Sequence, residues 1–379
     1  MLHVGPAAEV EVVVLWKSRG MYRWWCFIGI VTNFPFSSGF ITQANNRMFQ
    51  STSTRIMATS KNLVTIPEAI AAHKQNLKGV KFIDGSWHMP VGDKPRNGRA
   101  EFVSGPRVSG AWYFDIDDIA PVMGSADNPK KLPHMKPSSK LFASAMDRMG
   151  ISPSDTLYVY ATNDCAFYHR AYWTLRSCGH DPTLVKLVQG NLSEWKENGG
   201  ELEEGKLADD DERLFRMKDL GWEDKTPKYE SGGGDRDVVV DMDQVLNIVI
   251  QKDASNAIIV DARSEGRFVG TAPEPRPGLR GGHMPGALNV PFLDLLSDDK
   301  TKFRPMNEVK DIFIKAGISP VNNDNTASRI VCTCGSGVTA AALAVGLEEC
   351  GLRNKEDITI FDGSWIEWAS EDSTPIDSD

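Results

Sequence analysis

Two cysteines stand two positions apart in the stretch VCTCGSGVTAAALAVGLEEC, residues 331–350, but only Cys334 is followed at once by Gly335, Ser336, Gly337, Val338 and Thr339. β-Branched residues that give way to glycine, and then to apolar residues at helical spacing, predict a short strand over 329–332, a tight loop and an amphipathic helix. Cys334 then sits at the mouth of the helix, where unsatisfied N–H groups and the positive end of the dipole favour an anion. A thiol placed there ionises more readily than free cysteine, whose pKa is about 8.5, and the thiolate is the nucleophile. Glycines at 335 and 337 let the backbone curl around one sulfur atom with its amides pointing inward, forming an anion nest. Strand alternation assigns Cys332 to the core instead. A Cys-x-Cys metal site is the weaker reading, since no second pair with zinc-ligand spacing accompanies these two, and no metal or cofactor is expected.

The rest of the chain must hold that loop. At 379 residues, 41% hydrophobic and 25% charged, it is long enough for two domains of average size. A net charge of -9 and a pI near 5.4 argue against a nucleic-acid partner. Six cysteines at irregular spacing read as reduced thiols, not a disulfide framework. Between Val12 and Pro67 there is no Asp or Glu, while Lys17, Arg19, Arg23, Arg47, Arg55 and Lys61 are scattered through Ser/Thr-rich text. That pattern predicts an organelle-targeting leader over residues 1–60 with a mitochondrial destination; translation from Met48 or Met57 would leave a cytoplasmic form. The apolar patch WWCFIGIVTNFPF is too short to span a bilayer, so no membrane association is expected. Residues 198–236 are strongly acidic and end in SGGGD, which predicts an exposed linker.

The two halves on either side of that linker echo each other. KFIDGSW at 81–87 matches AIIVDARSEGRF at 257–268, and GPRVSGAWYFDIDDI at 105–119 matches GGHMPGALNVPFLDL at 281–295. The TLYVYATNDCAFYHRAYWTLRSCGH segment matches the Cys334 strand, loop and helix, and LVQGNLSEW matches IFDGSWIEW, at an offset that stays between about 172 and 177 residues. A duplicated domain follows. In each half, short apolar strands alternate with helical segments, predicting an α/β fold with a mostly parallel sheet flanked by helices on both faces. Ligands gather beyond the carboxyl ends of such strands, and the Cys334 loop follows one. The first half places Thr162 where the second has Cys334 and lacks the Gly-x-Gly pair. It is read as catalytically silent, with Cys165 a surface or packing cysteine; an exposed Cys26 or Cys165 would support redox-linked dimers.

These residues give the chain a resemblance: over roughly residues 62–370 it resembles the tandem-domain rhodanese superfamily and, within it, the mercaptopyruvate sulfurtransferases. CGSGVT at 334–339 carries most of the likeness, supported by VDARSEGRFVGTAPEPRPGLRGGHMPGALNVPF and FDGSWIEW. The resemblance implies a silent rhodanese-like domain at 62–197 and a catalytic one at 237–372. It implies a Cys334 thiolate that takes sulfur from 3-mercaptopyruvate, releases pyruvate and passes the sulfur to a thiol acceptor such as thioredoxin or glutathione, or to cyanide. By motif position Arg267 and Arg276 are implied to clamp the 2-oxo acid and Trp87 to face the cleft, while Arg263 is read as structural, bonding the strand's end or Asp261, and His283 as a structural turn residue. Where the family commonly carries a first-domain histidine this chain has Arg107, expected to lend the pocket positive charge; Asp93 is the nearby acid for the aspartate role, at poor register. Thiosulfate as donor stays open as an alternative, although relatives preferring it carry basic residues where this chain has Gly335 and Ser336. A non-catalytic persulfide carrier also stays open. A cysteine phosphatase does not, because its loop ends in an arginine that is missing here.

Overall fold

The computed structural model describes residues 62–75, 77–91, 93–230, 238–251, 256–320 and 329–378. The expected leader lies outside the described residues, as does the end of the linker. The first half contains β1 (Leu63–Thr65), α1 (Ile66–Lys74), β2 (Val80–Asp84), α2 (Gly98–Ser104), β3 (Arg107–Val108), β4 (Trp112–Tyr113), α3 (Ser139–Arg148), β5 (Thr156–Tyr160), α4 (His169–Ser177), β6 (Val185–Gln189), α5 (Leu192–Glu197) and β7 (Leu202–Glu203). The second contains β8 (Val239–Val240), α6 (Met242–Gln251), β9 (Ala257–Asp261), α7 (Glu265–Phe268), β10 (Leu288–Asn289), α8 (Met306–Lys315), β11 (Arg329–Thr333), α9 (Ala340–Glu349), β12 (Ile358–Phe361) and α10 (Ser364–Ser370).

Each half builds one five-stranded parallel sheet, in the orders β1-β6-β5-β2-β4 and β8-β12-β11-β9-β10. The two orders are the same topology, strand for strand. In both, the strand ending in aspartate pairs with the strand leading into the key loop: Asp84 lies opposite Tyr160, and Asp261 opposite Thr333. Continuous β-branched runs such as AIIVD and RIVCT suit these central strands, which are covered on both faces. Ile330 and Cys332 enter the central core shared by the two halves, while Val331 enters an outer core of the second half. Burial drives the Cys332 thiol well above its ordinary pKa, as befits an inert core group.

Two differences from expectation have simple physical causes. Helix α9 is buried along 340–347 and so is apolar all round, not amphipathic, because it is sandwiched between the sheet and helices α4 and α8. The acidic segment expected to be an exposed linker instead packs on the first half over 198–230. There β7 pairs antiparallel with β3, and Leu207, Phe215, Met217 and Tyr229 are buried. Its acids face outward or pair with arginines, as Glu203 and Asp211 do with Arg213. Composition reported the outer face of the segment and hid the inner one. Among the described residues no helix is long and apolar enough to cross a membrane.

Candidate active site

Strand β11 delivers Cys334 to the base of a crevice of about 220 Å³ between the two halves. The second half lines it with Arg263, Arg267, Arg276, Cys334, Gly335, Ser336, Val338 and Thr339; the first half contributes Trp87, Met89 and Phe167. Cys334 is only 2% exposed, so the sulfur is reached through the crevice and not across an open surface.

The carbonyls of Cys334 and Gly335 are tied to helix α10. Helix α10 donates the Trp365 amide to the Cys334 carbonyl at 3.0 Å and the Ile366 amide to the Gly335 carbonyl at 3.0 Å. Ser364, held at φ +51°, accepts the Cys334 amide on its Oγ at 3.2 Å and donates that hydroxyl to Phe361 O at 2.8 Å. The amides of residues 335–339 have no acceptor among the described residues, and neither do the Ser336 and Thr339 hydroxyls. A run of unspent donors directly after the cysteine is what an anion nest requires.

The arginines divide the work. Arg263 is fully buried and structural: its Nε and Nη2 bond Asp261 at 2.9 and 2.7 Å, Nη1 reaches Glu274 at 2.8 Å, and the guanidinium lies 4.1 Å over the Trp365 ring. Glu274 turns its other oxygen to Arg267 Nη2 at 2.6 Å, so one buried carboxylate ties the crevice arginine to the scaffold arginine. Arg276 is half-buried in the same crevice with no hydrogen-bond or ion-pair partner among the described residues. Burial lowers its pKa below arginine's ordinary value, and the compensating influence comes first from Cys334. A partly desolvated cation with no carboxylate paired to it can receive an incoming anion.

Trp87 forms part of the first-half wall and is braced there. Its indole N–H donates to Asp117 at 2.9 Å, Asp117 also hydrogen-bonds His134 Nδ1, and the His134 ring meets the indole edge-on at 4.8 Å. Burial opposes it, yet the bonds from His134 and Trp87 hold the Asp117 carboxyl below its usual range.

Arg107 is not in the site. It is 2% exposed and spent elsewhere, with Nε on Glu203 at 3.0 Å, Nη1 on Phe102 O and Nη2 on Gly205 O at 3.0 Å. The expectation that Arg107 lends the crevice positive charge is therefore corrected: pairing of β3 with β7 turns the side chain toward Glu203, Phe102 and Gly205. Asp93 is exposed and lines no part of the crevice. Thr162 donates its amide to Ser86 Oγ at 2.8 Å, and Cys165 is wholly buried against Trp87 O, its thiol pushed up by burial to about 11. That removes Cys165 as an exposed partner for redox dimers; Cys26 lies outside the described residues. His283 bridges to Asp377 and stacks on Phe268, a structural role.

Sequence reading missed Glu274, Asp117, His134 and Ser364. For Ser364 a signal was present, since Asp84-Gly85-Ser86-Trp87 recurs as Asp362-Gly363-Ser364-Trp365. The tetrapeptide follows β2 in one half and β12 in the other, outside the repeat register, so the alignment of halves passed over it.

A crevice cysteine followed by a loop of free amides, on the fourth strand-to-helix turn of a twice-used parallel sheet, defines a rhodanese-type site. The rhodanese-like domain family matches residues 243–371. The chain is 32% identical over 307 residues to the probable 3-mercaptopyruvate sulfurtransferase of Schizosaccharomyces pombe, covering 79% of this chain and 91% of that one. It is 32% identical over 336 residues to the mitochondrial thiosulfate/3-mercaptopyruvate sulfurtransferase 1 of Arabidopsis thaliana, covering 86% and 80%. Among solved structures, the Tum1 protein of Saccharomyces cerevisiae superposes with a TM-score of 0.65 at 26% identity, over 84% of this chain and 98% of that one. The chain therefore belongs to the rhodanese superfamily, as an enzyme of its sulfurtransferase group.

Proposed function

We propose that this enzyme moves the sulfur of 3-mercaptopyruvate through a persulfide on Cys334 to a thiol acceptor, with cyanide serving as acceptor in an assay. The reading is carried by the unpaired Arg276, which lines one crevice with Cys334 and with Gly335, Ser336, Val338 and Thr339 of the loop whose amides are free. The Cys334 thiolate attacks the donor's sulfur; the C–S bond breaks with its electron pair going to C3, and the resulting enolate takes a proton to become pyruvate. Sulfur is now held as Cys334–S–S⁻, bound by the same amides that held the thiolate. A thiolate acceptor such as that of glutathione or thioredoxin then attacks the outer sulfur and leaves as its own persulfide, returning Cys334 to its starting form. Arg276 takes the donor's carboxylate and Arg267 its carbonyl, while Trp87 closes the apolar side.

The preference for mercaptopyruvate over thiosulfate is supported by the space above residue 335, which Arg267 fills. A basic side chain at that position, as in thiosulfate-preferring relatives, would collide with Arg267 and repel it. The acid-poor leader and the mitochondrial Arabidopsis relative support a mitochondrial address. Turnover with each donor, measured beside Cys334→Ser, tests the reading. Mercaptopyruvate should be the faster donor and the serine variant inactive with both; equal turnover by the serine variant would end the proposal.

A further inference from the structure

We infer that Arg170, a residue of the half read as silent, is a positioning residue for the catalytic loop. Helix α4 carries it in its first turn, and α4 packs on α9, the helix that follows Cys334. Its guanidinium is 1% exposed and sits 4.7 Å over the Trp173 ring. Nη1 donates to the Gly337 carbonyl at 3.0 Å and to Asp362 Oδ1 at 2.6 Å, and Nη2 donates to the His134 carbonyl at 2.6 Å. Asp362 spends its other oxygen on the Lys136 amide at 2.6 Å. One buried ion pair thus ties the first half to the loop and to the end of β12.

The consequence follows from peptide geometry. In a trans peptide the C=O and the next N–H point in opposite directions, so whatever holds a carbonyl also aims the following amide. Trp365 and Ile366 hold the Cys334 and Gly335 carbonyls and thereby aim the amides of Gly335 and Ser336. Arg170 does the same for the Gly337 carbonyl and so aims the Val338 amide away from itself, toward the side on which Val338, but not Gly337, lines the crevice. Gly337, at φ +83°, is packed against this pair closely enough that a Cβ would lie 2.8 Å from Asp362 O and 3.1 Å from Arg170 Nη1. Two of the nest's donors are aimed from within the catalytic half and a third from the other half, which gives the silent domain a reason to be retained.

This inference rests on the sulfurtransfer reading for its turnover assay, and a second readout is independent of it. In the full chain, Arg170→Ala should lower kcat with 3-mercaptopyruvate roughly 10- to 100-fold, less than the roughly 100- to 1,000-fold that follows outright loss of a preorganised donor because the amide is misaimed and not removed, with KM within about threefold. Alkylation of Cys334 by iodoacetamide, which needs no donor, should slow as well. Methylguanidinium added to Arg170→Ala should restore part of both rates saturably, whereas tetramethylammonium should not. If Arg170→Ala does not fold, the neutral pair Arg170→Gln with Asp362→Asn leaves no buried charge unpaired and should show the same kcat loss at a native-like melting temperature. Folded variants with kcat and alkylation within twofold of the parent, or a kcat loss that methylguanidinium leaves untouched, would overturn the inference. Slowed alkylation without any mercaptopyruvate turnover in the parent would sink the sulfurtransfer reading and leave the positioning role standing.

Discussion

Arg267 and Gly335 share one space: a Cβ built on residue 335 would lie 2.9 Å from Arg267 Nη2. The guanidinium cannot simply swing aside, because Glu274 holds that same nitrogen at 2.6 Å and is itself held by Arg263. Gly335→Ala should therefore displace the guanidinium proposed to bind the donor while leaving the core intact. We expect kcat/KM for mercaptopyruvate to fall about tenfold, mostly through KM, with stability changed by no more than about 0.5 kcal/mol. Steady-state kinetics beside a urea melt measure both.

Gly337→Ala meets rigid neighbours instead. Backbone at φ +83° is strained for any residue with a Cβ, and the nearest obstacle is the Asp362 carbonyl at 2.8 Å. The variant should lose roughly 100-fold in kcat and about 1–3 kcal/mol of stability, the second by chemical denaturation. A variant with unchanged kcat would show that the loop tolerates a different path.

Arg107 gives the opposite expectation. Its bonds to Glu203 and to the carbonyls of Phe102 and Gly205 hold β3, β7 and α2 together, remote from the crevice. Arg107→Met should cost about 3 kcal/mol in a urea melt, since buried acceptors are left unpaired. Per folded molecule, kcat and KM should stay at parental values.

Asp84 and Asp261 end equivalent strands, yet only Asp261 has an arginine beside it. In the first half Ser86 stands where the second has Arg263, and Asp84 Oδ2 is buried without a hydrogen-bond partner. Burial, opposed by hydrogen bonds from Ser86 and Tyr160, raises the Asp84 pKa from 3.8 to about 6. A raised carboxyl contributes stability that is complete below pH 3.8 and is lost as pH rises through about 6. Asp84→Asn should therefore be more stable than the parent by roughly 3 kcal/mol at pH 8, with the difference shrinking to nothing near pH 4. Denaturant melts across that range measure it; a constant difference would refute the assignment.

Much of this was legible in residue order because it depends on local chemistry. The Cys334 loop, the burial of Cys332, the structural role of Arg263 beside Asp261 and the doubled sheet all follow from spacing, alternation and repeat register. What escaped depends on direction or on distant pairing. Nothing local tells that Arg107 points outward from the crevice, since one turn of β3 decides it. Arg170 and Asp362 meet across 192 residues. The acidic 198–230 segment misled because its buried apolar residues are diluted by charges on the opposite face.

The central claim is that Cys334 accepts a sulfur atom from a bound 2-oxo acid thiol. Mass analysis of the Cys334 peptide after brief exposure to 3-mercaptopyruvate, without acceptor, tests it most directly. The expected result is a gain of one sulfur atom on Cys334 with one equivalent of pyruvate released, both reversed by added thiol. Pyruvate release with Cys334 unmodified, or sulfur found on another cysteine, would contradict the account.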